Sequence, residues 1–185
     1  MKKIAIIIPY FGELPPNIIT FLNSCKFNPT IDWYIFTDSI VNKIAIPHNV
    51  KIITTAFQNI KKRISKIIGR TDFVLDSPYK IVDYKPLFGL IFADYLQSYD
   101  YWGYSDMDVL YGDIRKFISK GLEDDLDKIG ELGHFTLFRN TDEINNRYKL
   151  KIEDKNLFST ASQSPFISHF DEGAGINKIY NFYQW

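Results

Sequence analysis

Residues 4–8 read Ile-Ala-Ile-Ile-Ile and stop at Pro9, and no other stretch restricts the fold as much. A strand with one face in water alternates apolar and polar residues. A strand of five consecutive apolar residues has no polar face and must be covered on both sides. That is the condition of a strand inside a parallel sheet, whose neighbours are joined by crossover connections, usually helical. The next residues supply one. Pro15-Pro16 precede residues 17–25, where Ile18, Ile19, Phe21, Leu22 and Cys25 recur at helical spacing. Asn28-Pro29-Thr30 turns the chain into a second strand, Ile31 to Phe36, and Pro47-His48-Asn49 leads into a third, Val50 to Thr54. This βαβ beginning predicts an α/β fold with an open, mostly parallel sheet of Rossmann type flanked by helices.

The rest of the chain continues the alternation. A helix is expected over 59–68, with Lys61, Lys62, Arg63 and Lys66 on a basic face. That face reads as solvated more readily than as lipid-bound. Asp83-Tyr84-Lys85-Pro86 reads as the entry to a helix whose apolar face includes Leu87, Leu90, Ile91 and Leu96. Residues 100–104 form a strand, 113–120 a helix or turn, and 133–139 a strand; a helix from Thr141 to about Leu150 follows, and another closes the chain. The 185 residues contain no repeat or linker, so a single domain over 1–185 is expected. The aromatic close at 179–185 suggests a cut through a longer protein, or a helix that docks on something. Zero formal net charge argues against nucleic acid as a bulk partner. The one cysteine, Cys25, excludes an internal disulfide and a cysteine-cluster metal site. The apolar run after Met-Lys-Lys is too short for a signal peptide, and no stretch reaches the roughly 18 apolar residues of a membrane helix. A cytoplasmic protein is expected, with peripheral contact at the cytoplasmic face of the inner membrane left open.

Asp106 and Asp108 sit two residues apart after the aromatic strand Tyr101-Trp102-Gly103-Tyr104-Ser105. In extended chain such residues point the same way, and two carboxylates held together repel. A hard divalent cation, Mn²⁺ or Mg²⁺, removes that penalty and typically leaves positions for substrate phosphates. Three strand ends meet at one edge of the expected sheet: Pro9-Tyr10, Thr37-Asp38 and Ser105-Asp106. Ligands of open α/β sheets bind there. Tyr10 offers an aromatic surface, and Asp38 an acid for a ribose hydroxyl or base amide. Neither Gly-x-Gly-x-x-Gly nor a P-loop follows the first strand, which disfavours a dinucleotide site and a nucleoside-triphosphatase.

In the order Ile6 to Gly12, Phe36-Thr37-Asp38, Tyr79 to Pro86, Trp102 to Asp113, Gly133 to Asn140 and Phe170-Asp171-Glu172, the chain resembles bacterial capsule and surface-polysaccharide glycosyltransferase-like proteins of the GT-A, nucleotide-diphospho-sugar transferase fold. The resemblance implies one nucleotide-sugar-binding domain, truncated at its C-terminus if the chain is a piece. It implies a nucleotide-sugar donor, a UDP-sugar first, and a capsule, O-antigen or lipid-linked glycan as acceptor. Mn²⁺ or Mg²⁺ would be held by Asp106 and Asp108. Pro9, Tyr10, Thr37, Asp38, Lys80, Asp83, Lys85, Ser105 and Asp106 would hold the donor, and His134 would line the acceptor side. Asp171 or Glu172 is the expected catalytic carboxylate, and His169 is weighed as a third metal ligand. The alternatives are a metal-dependent nucleotidyltransferase and a catalytically silent nucleotide-sugar or glycan-binding module. Oligomeric state, donor sugar and stereochemical course are not specified by the sequence.

Overall fold

The computed structural model describes residues 1–41 and 44–185. Its core is a six-stranded sheet in the order β3-β2-β1-β4-β6-β5. The strands are β1 (Ile4–Pro9), β2 (Ile31–Thr37), β3 (Val50–Thr54), β4 (Tyr101–Ser105), β5 (Lys128–Leu132) and β6 (Phe135–Arg139). The first four run parallel, with Ile4 beside both Ile31 and Tyr101. β6 is antiparallel to β4 and to β5, so the sheet is mostly parallel, as expected, with an antiparallel edge. That edge is a tight hairpin, with Leu132 and Phe135 paired across the Gly133-His134 turn. Because β6 runs backwards, Phe135 pairs with Ser105. The hairpin turn therefore lies at the carboxyl ends of the parallel strands.

The all-apolar strand is covered on both faces, as its composition requires. Ile4, Ile6 and Ile8 join Trp33 and Ile35 in one cluster, with the buried sides of α1 (Ile18–Lys26) and α5 (Ile114–Glu123). Ala5 and Ile7 join Tyr34, Phe36, Trp102 and Tyr104 in the other. That second face carries α2 (Phe57–Ile68), α3 (Phe88–Ile91), α4 (Ala93–Leu96), α6 (Asp142–Asn146), α7 (Leu157–Gln163) and α8 (Ile176–Phe182). The period of two along β1 thus sorts its side chains into two cores.

Several local expectations change. The helix entry at residues 83–86 is instead the late part of a 3₁₀ segment, Pro78–Leu87, which carries Pro86 inside it. The helix expected beyond it is two short turns, α3 and α4, parted at Phe92 with φ −115° and ψ 23°. The helix expected to reach Leu150 ends at Asn146 and passes into a 3₁₀ turn, Arg147–Lys149. Thr141 caps it, its hydroxyl accepting from the Ile144 N–H at 3.3 Å. Three elements were not anticipated: β5, a two-strand hairpin of Lys151–Ile152 with Lys155–Asn156, and α7. The basic face of α2 is partly paired, Arg63 with Asp94 at 2.8 Å and Lys61 with Asp76 at 3.4 Å. The terminal helix docks on the chain's own core, where Tyr180 is buried against Phe138. No helix among the described residues is long and apolar enough to cross a membrane.

Candidate functional site

From β1 the chain builds β2 and β3 on one side, then returns to lay β4 on the other. Such a switch point leaves a crevice beyond the strands' carboxyl ends. Here it holds a cavity of about 730 Å³. Pro9 and Tyr10 line it from β1, and Ser105, Asp106 and Asp108 from the end of β4. Lys85 comes from the 3₁₀ segment, Gly133 and His134 from the hairpin turn, and Asp171 and Glu172 from the segment before α8.

Lys85 is the electrostatic centre of this wall. Its ammonium donates to Asp106 Oδ1 at 2.8 Å and to the Gly133 carbonyl at 2.9 Å, and lies 3.1 Å from Asp171 Oδ2. An ammonium has three donors, and these three acceptors occupy them. Burial disfavours the charge, but Asp106 and Asp171 outweigh it and hold the lysine above its ordinary pKa. Lys85 lines the cavity, as expected of a donor-side residue, with all three of its hydrogens committed to protein oxygens. Asp171 is 2% exposed, and burial raises its carboxyl above the ordinary range although Lys85 opposes the rise. Among the described residues its Oδ1 has no hydrogen-bond partner. A buried acceptor without a donor costs about 1–3 kcal/mol. Glu172 is engaged, its Oε1 accepting the Gly133 N–H at 3.1 Å.

No three His, Cys, Asp or Glu side chains among the described residues are grouped to hold a metal ion by themselves. Asp106 is committed through both oxygens, Oδ1 to Lys85 and Oδ2 to His134 Nδ1 at 3.0 Å. Asp108 is exposed. His169 lines the same cavity without completing a three-ligand group. This donor set fits a cation held through one or two carboxylates and completed by diphosphate oxygens, as Mg²⁺ commonly is. It does not fit an ion held by the protein alone.

The remaining expected residues have other settings. Thr37 is buried, and its hydroxyl accepts from the Ser39 N–H at 3.1 Å. Asp38 Oδ1 accepts the Gly12 N–H at 2.9 Å, fixing the turn after β1, where Gly12 has φ +97°. Neither lines the cavity. Lys80 and Asp83 lie elsewhere too: they form an ion pair of 2.6 Å, 4% and 0% exposed, behind the wall. Ser105 Oγ bonds the Tyr111 hydroxyl at 2.5 Å, which donates to the His134 carbonyl at 3.2 Å. Among the lining residues that were not named as site residues are Tyr79 and Gly133. Tyr79, 66% exposed, stands in the cavity wall. Gly133 reads as the start of a strand and of one of the family-like segments. A Cβ there would lie 2.5 Å from Asp171 Oδ2 and 2.8 Å from Glu172 Oε1.

The profile of a family described as "Family of unknown function (DUF6625)" matches residues 6–185. The chain belongs to that family. No curated protein matches it significantly.

Proposed function

We propose that this DUF6625 member is a metal-dependent glycosyltransferase of the GT-A kind, moving a sugar from a nucleotide-diphosphate donor to a hydroxyl of a surface-glycan or lipid-linked acceptor. One observation carries the reading. A single cavity at the switch point is lined by the exposed Asp108 and by the buried Asp171, a carboxylate that Lys85 holds through Oδ2. The first suits a cation–diphosphate, and the second is a carboxylate beside it. The absence of a glycine- and lysine-rich phosphate loop after β1 weighs against nucleotidyl transfer.

Asp108, with Asp106 beside it, would hold Mn²⁺ or Mg²⁺. Such an ion acts as a Lewis acid on the departing diphosphate. Tyr10 and Pro9 offer an aromatic and apolar wall to the nucleoside. In an inverting course, the Asp171 carboxylate accepts the proton of the acceptor hydroxyl as the acceptor oxygen bonds the anomeric carbon and the bond from that carbon to the phosphate oxygen breaks. Burial that raises the carboxyl's pKa makes it a stronger proton acceptor. Lys85 on Oδ2 keeps its orientation fixed.

Calorimetry with UDP and Mn²⁺ tests the reading. UDP is expected to bind only with the cation, and Asp108→Ala to weaken it by about tenfold or more. No binding, or binding indifferent to Asp108→Ala, would sink the proposal. Released UDP, measured from a panel of UDP-sugars with glycan acceptors, separates a transferase from a silent binding module.

A further inference from the structure

We propose that the buried Lys80–Asp83 pair is a positioning device: it fixes the 164–172 segment that brings His169, Asp171 and Glu172 to the cavity. An ion pair 4% and 0% exposed is unfavourable unless its remaining hydrogen-bonding groups are satisfied. Here they are satisfied almost entirely by backbone of one stretch. Lys80 Nζ donates to Asp83 Oδ2 and to the carbonyls of Ala161 and Phe166. Asp83 Oδ1 accepts from the N–H of Phe170 at 3.0 Å, and its two oxygens receive the Ser168 N–H at 3.1 and 3.0 Å. All four backbone partners lie within residues 161–170.

That stretch needs an anchor. Between α7, ending at Gln163, and α8, starting at Ile176, there is no regular secondary structure to fix it. His169 has φ +49°, a left-handed conformation that costs a non-glycine residue about 1–2 kcal/mol. It sits between Ser168 and Phe170, the two residues whose amides Asp83 holds. Such strain persists only where the surroundings over-determine it. One residue further on is Asp171, whose carbonyl accepts from the Tyr104 hydroxyl at 3.0 Å and whose carboxylate meets Lys85. Lys80 and Asp83 thus act through the segment, not on a ligand.

The turnover part of this inference rests on the transferase reading; the anchoring part does not. Amide hydrogen exchange of the full chain tests the anchor without any variant. The Ser168 and Phe170 amides are expected to exchange about tenfold or more slowly than those of Ile167 and His169. Equal exchange across 167–170 overturns the proposal. Asp83→Asn keeps the size and removes the charge. It is expected to speed exchange at Ser168 and Phe170 about tenfold while leaving β1 and β4 amides unchanged. Affinity for UDP with Mn²⁺ should stay within about twofold, while kcat for UDP release falls about tenfold or more. Uniformly faster exchange including β1 and β4, or an unchanged kcat with a loosened segment, overturns it, since the pair would then be a general stabiliser. If the unaltered chain binds no UDP, the transferase reading fails, and the exchange measurement still decides whether the pair anchors the segment.

Discussion

Two lysines on one 3₁₀ segment, Lys80 and Lys85, are both buried against aspartates, and they differ in what is left over. Around Lys80 and Asp83 every charged oxygen and the ammonium find partners, and both side chains are closed off from solvent. Around Lys85 the ammonium is saturated, but Asp171 Oδ1 is unpartnered among the described residues, and Asp106, bonded through both oxygens, still reaches the cavity with 32% of its side chain exposed. The same chemistry serves two ends. A closed pair holds the chain; an open one leaves bonding capacity for a ligand.

The sharpest way to break this comparison is to remove one partner of the closed pair. Asp83→Ala leaves the Lys80 ammonium buried without its counter-ion and should cost about 3–5 kcal/mol of stability, measured by urea unfolding. Lys85→Met leaves Asp106 and Asp171 without their shared cation. The loss is expected to be smaller, about 2–4 kcal/mol, because Asp106 is part-solvated. Equal or reversed losses would dissolve the distinction between closed and open clusters. Gly133→Ala drives a Cβ against the Asp171 and Glu172 carboxylates and should cost about 1–3 kcal/mol. An unaltered midpoint would show that the turn moves away freely.

Lys128 sharpens the contrast from the other side. Its ammonium donates to the Gly130 carbonyl and lies 5.6 Å from the Tyr180 ring centroid, and burial lowers its pKa to about 8 with only Glu131 opposing. Between pH 8 and 10 the unfolded chain keeps this proton and the folded chain releases it, so the contribution of Lys128 to stability rises with pH, by about 1–2 kcal/mol over that window. Cys25 and the buried tyrosines Tyr84 and Tyr104, whose pKa values burial raises, pull the other way. The stability difference between the unaltered chain and Lys128→Met, followed over pH 8–10, isolates the lysine. The smallest expected change in stability is at Asp108, exposed at the cavity. Asp108→Ala should shift unfolding by less than about 0.5 kcal/mol while weakening cation-dependent UDP binding by about tenfold or more. A large loss of stability there would make Asp108 structural.

The central fold was legible because its signals are local. The apolar run at 4–8, the helical spacing at 18–25 and the turn residues at 28–30 each lie within a few residues. The hairpin edge was not. β5 reads Lys-Ile-Gly-Glu-Leu, with no clean alternation, and its pairing with β6 is interrupted by an irregularity between Ile129 and Leu132. The long helix expected after Pro86 failed for a related reason. Apolar spacing shows which residues are buried, but the backbone breaks at Phe92 where tertiary packing overrides propensity. At the site, Asp106, Asp108, Asp171 and Glu172 were found as residue types at the right ends of elements, and the structure brings all four to one cavity. Lys80, Asp83 and Lys85 were all assigned to the donor, and of the three only Lys85 lines the cavity.

By itself, then, the sequence determined that β1 is covered on both faces, that the first strands run parallel, and which strand ends meet at one edge. These follow from periodicities of two and 3.6 that the covalent chain imposes on neighbouring residues. Only the tertiary structure decided which buried charges are spent and which are free. Lys85 is saturated by partners 21, 48 and 86 positions away, and Asp83 by amides 85 and 87 positions away. Hydrogen-bond saturation is a count of neighbours in space, and no local pattern of residues encodes it.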